Sequence, residues 1–226
     1  MPVAYKQNEA VVLRKVDFSE TSLIVTVLTP DFGRMALLAK GARRKGSSLG
    51  PALDTFNRVE LTFTWKENRQ VQNLVEAGVI SSYGTIKSDI QRSAAAAFVL
   101  DVALHASWEN HPAPELFDAL VNGLDAFADR NADPLVAAAG GVYALLEGAG
   151  IAPAHTDEES LARLRGAVGT RREQARRALM CLEEGGTSLE PAAAEQALDY
   201  LHDYAAYHLE APLKSYGFLK QILRTD

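Results

Sequence analysis

The chain has one cysteine, Cys181, in 226 residues. One thiol closes no internal disulfide and cannot supply a cysteine-rich zinc site, which takes about four ligands. Long apolar runs are missing as well: none approaches the ~20 residues of a membrane-spanning helix. Met1 to Ala10 is polar and lacks the apolar core of a secretion signal, so a cytoplasmic protein with no membrane association is the expectation. Positive charge is scarce: 23 Lys and Arg stand against 29 Asp and Glu, a net of −6. There is no G-x-S-x-G, no P-loop, no HExxH and no supported pair of catalytic carboxylates, so no enzyme is expected. No repeat of 20–50 residues is present, which excludes solenoids and propellers.

The charge that is present is unevenly placed. Residues 1–80 hold eleven Lys and Arg against eight Asp and Glu, net +3; residues 81–226 hold twelve against twenty-one, net −9. Exposed charges beyond a Debye length of ~8–10 Å are largely screened, so a basic face can work on an acidic protein. Two domains with separate tasks are therefore expected, 1–80 and 81–226.

The first domain reads as strands. Glu9–Val16, Thr21–Thr29, Arg34–Lys40, Phe56–Trp65 and Gln70–Ile80 are short, rich in β-branched residues and separated by turn signals such as Pro30-Asp31-Phe32-Gly33. In the fourth, Val59, Leu61, Phe63 and Trp65 alternate with polar residues, the mark of a half-buried strand. Five short strands in about 70 residues fit a small closed barrel, with the OB-fold first and an SH3-like barrel as the other candidate. The second domain reads as helices over 86–109, from Pro112 and Pro114 to Phe127, from Asp133-Pro134 to Glu147, and over 157–164, 170–183, 188–209 and 214–223. The fold class is α+β: an N-terminal five-stranded OB-fold β-barrel followed by an all-α helical domain.

Lys40-Gly41-Ala42-Arg43-Arg44-Lys45-Gly46-Ser47-Ser48 sets four positive charges within six residues, between two strands. Lys40, Arg43, Arg44 and Lys45 suit phosphate neutralisation. Glycines leave the backbone mobile and approachable. Arg14, Lys15 and Arg34 extend the basic surface if they share its barrel face. A solvated loop that keeps the protein soluble is the plain alternative. Phe18, Phe32, Phe56 and Trp65 are candidate base stackers, with a core role favoured for Trp65.

Several further features have simple structural accounts. His105 and Glu109 sit four apart on one expected helix face, where helix-end hydrogen bonding is favoured over a metal pair. Tyr200, Tyr204 and Tyr207 form a stripe that suits packing. Lys214 and Lys220 are expected near the carbonyl end of the last long helix. Gly140-Gly141 inside a helix suggests close helix packing. Arg163, Arg165, Arg171, Arg172, Arg176 and Arg177 read as a solvated face rather than a second phosphate-binding patch.

Three runs carry a resemblance: Glu9-Ala10-Val11-Val12-Leu13-Arg14, Asp17-Phe18-Ser19-Glu20-Thr21-Ser22-Leu23-Ile24-Val25-Thr26, and Leu38-Ala39-Lys40-Gly41-Ala42-Arg43-Arg44. They resemble the N-terminal domain of the bacterial RecO recombination-mediator family. Tyr204-Ala205-Ala206-Tyr207-His208-Leu209, Leu213-Lys214-Ser215 and Phe218-Leu219 resemble its C-terminal helix and tail. The resemblance implies a cytoplasmic, nucleoid-associated bacterial protein without a hydrolytic site or nucleotide cofactor; that no metal is bound is expected from the lone cysteine instead. Such a protein binds single- and double-stranded DNA, anneals complementary strands and helps load recombinase onto protein-coated single strands in DNA repair. The partners it implies are a RecR-like ring protein and the C-terminal tail of single-strand-binding protein. The alternative is an adaptor whose basic loop binds an acidic protein tail. One departure stands out. Many members carry a four-cysteine zinc module in the helical domain, whereas the stretch of about 150–181 here has only Cys181 and His155. The module is expected to be degenerate.

Overall fold

The structure, a computed structural model, describes residues 4–154, 170–185 and 189–224. The expected helix over 157–164, the start signal Ser188, and His155, Arg163 and Arg165 lie outside the described residues, as does the side chain of Arg171.

Five strands come first: β1 (Ala4–Asp17), β2 (Leu23–Thr29), β3 (Gly33–Ala39), β4 (Arg58–Trp65) and β5 (Val71–Ser81). They close into a barrel in the order β1-β2-β3-β5-β4, with β4 returning to β1. All pairings are antiparallel except β3 with β5, which is parallel and spans only Ala36–Leu38 against Val71–Asn73. A one-turn helix, α1 (Leu49–Ala52), lies between β3 and β4. This is the OB-fold.

Alternation builds the barrel core. Val25 and Val27 on β2, Met35 and Leu37 on β3, and Val59, Leu61 and Phe63 on β4 are all buried. The expected face of β4 is therefore real, although Trp65 at its end is only half-buried. Alternation fails on β1, where Val11, Val12 and Leu13 are buried in succession. The pairing with β2 slips between Val12 and Arg14, and such a bulge inserts one residue and turns the following side chains over.

Helices follow: α2 (Gly84–Lys87), α3 (Ile90–Ala106), α4 (Pro114–Ala128), α5 (Pro134–Gly148), α6 (Thr170–Glu183), α7 (Pro191–His208) and α8 (Lys214–Leu223). The helix expected over 86–109 is thus two, and it stops at Ala106. Pro112 and Pro114 disfavour helical backbone in the residues before them. The chain divides into two compact units: residues 1–83 with 107–121, and residues 84–106 with 122–226.

In the second unit α3 is buried nearly all round through Ala94, Ala95, Ala96, Phe98, Val99, Leu100, Val102 and Ala103, the pattern of a central helix. It packs on α5 and α8, while α7 packs on α5 and α6. Asp133 caps α5, accepting from the amides of Leu135 (2.8 Å) and Val136 (3.2 Å), with Pro134 in the first turn as its sequence suggests. A methyl group on Gly123 of α4 would lie 3.4 Å from the Gly141 Cα, so the close packing sought at Gly140-Gly141 belongs to Gly141. Gly140 faces open space.

Arg92 is 6% exposed and donates to four main-chain carbonyls, those of Phe127 (3.1 Å), Asp129 (3.0 Å), Arg130 (3.2 Å) and Ala132 (3.0 Å). Its fork thus meets one carbonyl in the last turn of α4, that of Phe127, and three in the loop that follows the helix.

Lys220 does not reach a helix carbonyl end. Its ammonium bonds Glu195 Oε1 at 2.7 Å and Asp199 Oδ1 at 3.1 Å, both on α7. Burial alone would lower the Lys220 pKa; the two carboxylates outweigh it and hold the pKa above its ordinary value. Beside it the Tyr216 hydroxyl donates to Asp199 at 2.6 Å, and the His202 ring stacks on Tyr216 with centroids 4.5 Å apart. The tyrosine stripe divides in two: Tyr200 is buried, whereas Tyr207 is 64% exposed.

Candidate nucleic-acid interface

Strand register decides which basic residues share a place. Asp17 pairs with Leu23, and Leu23 with Ala39, so the end of β1, the start of β2 and the end of β3 meet at one end of the barrel. Arg14 and Lys15 stand three and two residues from that end of β1, and Lys40 follows Ala39 directly. The structure therefore gathers Arg14, Lys15, Lys40, Arg43, Arg44 and Lys45. Arg34 is excluded. It sits six residues before Lys40 on β3, roughly 20 Å away at the rise of a strand, and faces Glu109 at 3.5 Å.

The loop is anchored rather than loose. Ala42 is buried in the barrel core. The Arg43 amide donates to Thr21 O (3.0 Å), the Arg44 amide to Gly41 O (3.0 Å) and the Ser47 amide to Arg44 O (3.0 Å). Gly41 (φ 72°) and Gly46 (φ 81°) serve these turns rather than mobility.

The gathered cations differ in what they hold. Arg43 is tied to the β1–β2 loop, donating to Ser19 O at 2.9 Å and facing Asp17 at 3.1 Å. Lys15 is paired with Asp54. Lys40, Arg44 and Lys45 are exposed, and no carboxylate among the described residues pairs with them. Three free cations on a fixed loop suit phosphates, because little ordering remains to be done on binding.

Of the candidate stackers, only Phe18 is both open and near the loop. It is 60% exposed, and it lies beside Ser19, which Arg43 holds. Phe32 packs on Phe63 (5.3 Å) and Trp65 (4.9 Å), and Phe56 is buried, so these three serve the barrel.

Sequence reasoning missed a second feature of the barrel. The segment after α3 returns to β3: the Arg34 amide donates to Trp108 O (3.1 Å), and the Asn110 amide to Arg34 O (3.0 Å). Glu109 thereby forms isolated bridges with Gly33 and Arg34. Trp108 itself is 77% exposed. The signal that could have found it is Asn110-His111-Pro112, a turn signature after a helix. Glu109 is thus not on α3, and the proposed sharing of a helix face with His105 fails. His105 Nδ1 instead lies 2.8 Å from Asp101 O, at the helix end as favoured.

Among the described residues no three His, Cys, Asp or Glu groups gather to hold a metal ion. Cys181 is the chain's sole thiol, so a four-cysteine zinc module does not fit these residues. No described helix is long and apolar enough to cross a membrane.

Two family models match in tandem. The one described as "Recombination protein O N terminal" matches residues 1–83, and "Recombination protein O C terminal" matches residues 87–160. Curated relatives carry the name "DNA repair protein RecO". The protein from Exiguobacterium sibiricum is 36% identical over 145 residues, 64% of this chain and 57% of its own. That from Frankia casuarinae is 38% identical over 136 residues, 59% of this chain and 54% of its own. That from Salinibacter ruber is 31% identical over 118 residues, 52% of this chain and 45% of its own. The matched segments thus span about half the length of these relatives.

Proposed function

The chain belongs to the RecO family, and from that membership we propose that it acts in DNA repair as a DNA-binding recombination mediator. The observation that carries this is the anchored loop with Lys40, Arg44 and Lys45 exposed beside Phe18 at one end of an OB barrel. The loop's cations hold strands by their phosphates and read no bases, since phosphate contacts position without specifying. Single- and double-stranded DNA both fit that chemistry. Neutralising two strands at once removes their mutual repulsion and favours annealing of complements. Arg14 extends the same surface; Lys15 and Arg43 mainly order it, and Arg34, at the far end of β3, takes no part in it. Loading of recombinase onto protein-coated single strands is the further step of this proposal, with a RecR-like ring protein and the tail of single-strand-binding protein as partners.

The test is a salt titration of DNA affinity for the wild type and a variant with Arg43, Arg44 and Lys45 changed to Ala. The variant is expected to bind more weakly with a shallower salt slope. Unchanged affinity and slope would remove the loop from the mechanism. Binding to naked DNA without any partner separates this proposal from an adaptor that takes only an acidic protein tail.

A further inference from the structure

The strand pairing leaves an opening beside β3. β5 covers its edge only from Ala36 onward. Before Val71 the chain forms the β4–β5 turn, and at Gly33 and Arg34 the vacated edge is taken by Trp108–Asn110. Trp108 therefore stands at the start of β3, before the stretch that β5 pairs, at the opposite end of that strand from the basic loop.

That loop is itself held in one shape. Gln72, 1% exposed, donates to Lys66 O (2.8 Å) and Arg69 O (2.9 Å), while its carbonyl accepts from the Lys66 amide (3.0 Å). The side chains of Lys66 and Arg69 are left exposed. Trp108, 77% exposed, is thus pinned through its main chain at Arg34, two residues before Ala36, where β3 takes up β5, and Lys66 and Arg69 are exposed on the fixed turn that leads into β5. Large aromatics presented this way offer a π-face to any base, and nearby cations take the adjoining phosphates. In OB barrels the face of strands 2 and 3, with the β1–β2 and β4–β5 loops, is a recurrent oligonucleotide platform.

We infer that Trp108 is a stacking residue for an unpaired nucleobase, with Lys66 and Arg69 holding the neighbouring phosphates, at a second contact point for single strands. This rests on the DNA-binding proposal above and extends it. The basic loop would serve single and double strands alike, whereas Trp108 needs a base out of its stack.

The experiment uses the full chain, an oligo-dT strand and a blunt duplex of equal length. Trp108→Ala is expected to weaken oligo-dT binding about five- to hundred-fold, from the ~1–3 kcal/mol that one base–aromatic stack contributes. Duplex affinity and the salt slope stay roughly unchanged. Trp108→Phe is expected to keep oligo-dT affinity and to lose the emission change that DNA causes in the wild type, because Trp65 would then be the one tryptophan left. The fold is spared, since Trp108 docks through its main chain. Wild-type affinity in Trp108→Ala, equal losses for both DNAs, or an emission change that persists in Trp108→Phe would overturn the inference. If the loop variant keeps full affinity and slope while Trp108→Ala still loses oligo-dT, the loop proposal fails and this one stands. If the wild type binds neither DNA, both fall.

Discussion

Ser215 gives both its main-chain amide (3.1 Å) and its hydroxyl (2.6 Å) to one oxygen of Asp101, 114 residues earlier. Leu213, the residue before α8, has left-handed backbone (φ 37°) and no side-chain cap bond. The start of α8 is thus capped by a carboxylate on α3, which also favours the positive end of the helix dipole. Changing Asp101 to Ala should cost about 1–3 kcal/mol, the range for stranding partly buried partners of a charged acceptor. Asp101→Asn keeps an acceptor and should cost less. Urea unfolding of both variants measures this, and equal losses would assign the effect to charge alone.

Arg92 offers a second stability test. Its four carbonyl partners lose their donor in Arg92→Ala, with an expected loss of about 3 kcal/mol or more. Lysine keeps the charge but not the planar fork, so Arg92→Lys should recover only part of it. Thermal melting decides; full recovery by lysine would show that charge, not geometry, matters there.

Gly33 has φ 59°, and a Cβ there would fall 1.9 Å from His111 O. Gly33→Ala must both strain its own turn and push the returning segment off β3. Faster amide exchange at Arg34 and Asn110 is expected, with the rest of the barrel retained. Exchange matching the wild type at those two amides would contradict the steric argument.

Alkaline pH should loosen the helical unit. Burial foremost, then the charges of Glu183 and Glu147 and then Tyr204, push the Tyr143 pKa up to about 12. Tyr216 is raised in the same direction, by burial first and then by its bond to Asp199, and Lys220 is raised by Glu195 and Asp199 against its burial. A raised folded pKa means that the folded state keeps its proton longer than the unfolded chain. The contribution is fully present below the ordinary values of 10.0 for tyrosine and 10.5 for lysine and is lost as pH rises through the folded ones. Melting should therefore occur at lower temperature at about pH 11 than at about pH 9. Tyr216→Phe should flatten that dependence; an unchanged pH profile would exclude Tyr216 as a source.

The cations of the basic loop should separate by role. Arg44→Ala with Lys45→Ala removes two unpaired charges and should reduce the salt slope on duplex DNA by about 2, at ~0.9 per phosphate, with melting unchanged. Arg43→Ala should also loosen the β1–β2 loop, at up to about 1 kcal/mol for an exposed pair. Affinity and melting measured together distinguish the two.

What could be read in advance was whatever local pattern controls. The alternation of Val59, Leu61 and Phe63 and the Asp133-Pro134 start are written within a few residues. The β1 bulge was hidden because four apolar residues in a row, Ala10 to Leu13, fit a strand or a helix equally well. The roles of Arg92, Asp101 and Gln72 depend on groups many residues away or on a turn's final shape, and composition carries no trace of either. The candidate site was legible in its dense loop, Lys40–Lys45. Arg34 looked equivalent in sequence because the five residues of strand that separate it from Lys40 are short in sequence and long in space.

The seam beside Gly33 and Arg34 also bears on how the barrel forms. A chain ending near residue 83 would pair every strand yet leave two residues of β3 with an unmet edge, open to pairing with another molecule. During synthesis that edge waits until residue 110 has emerged, with all of α3 made in between. The barrel is thus finished late, by a clasp encoded after a helix, and the first strands can be sealed against aggregation only once the second unit has begun to appear.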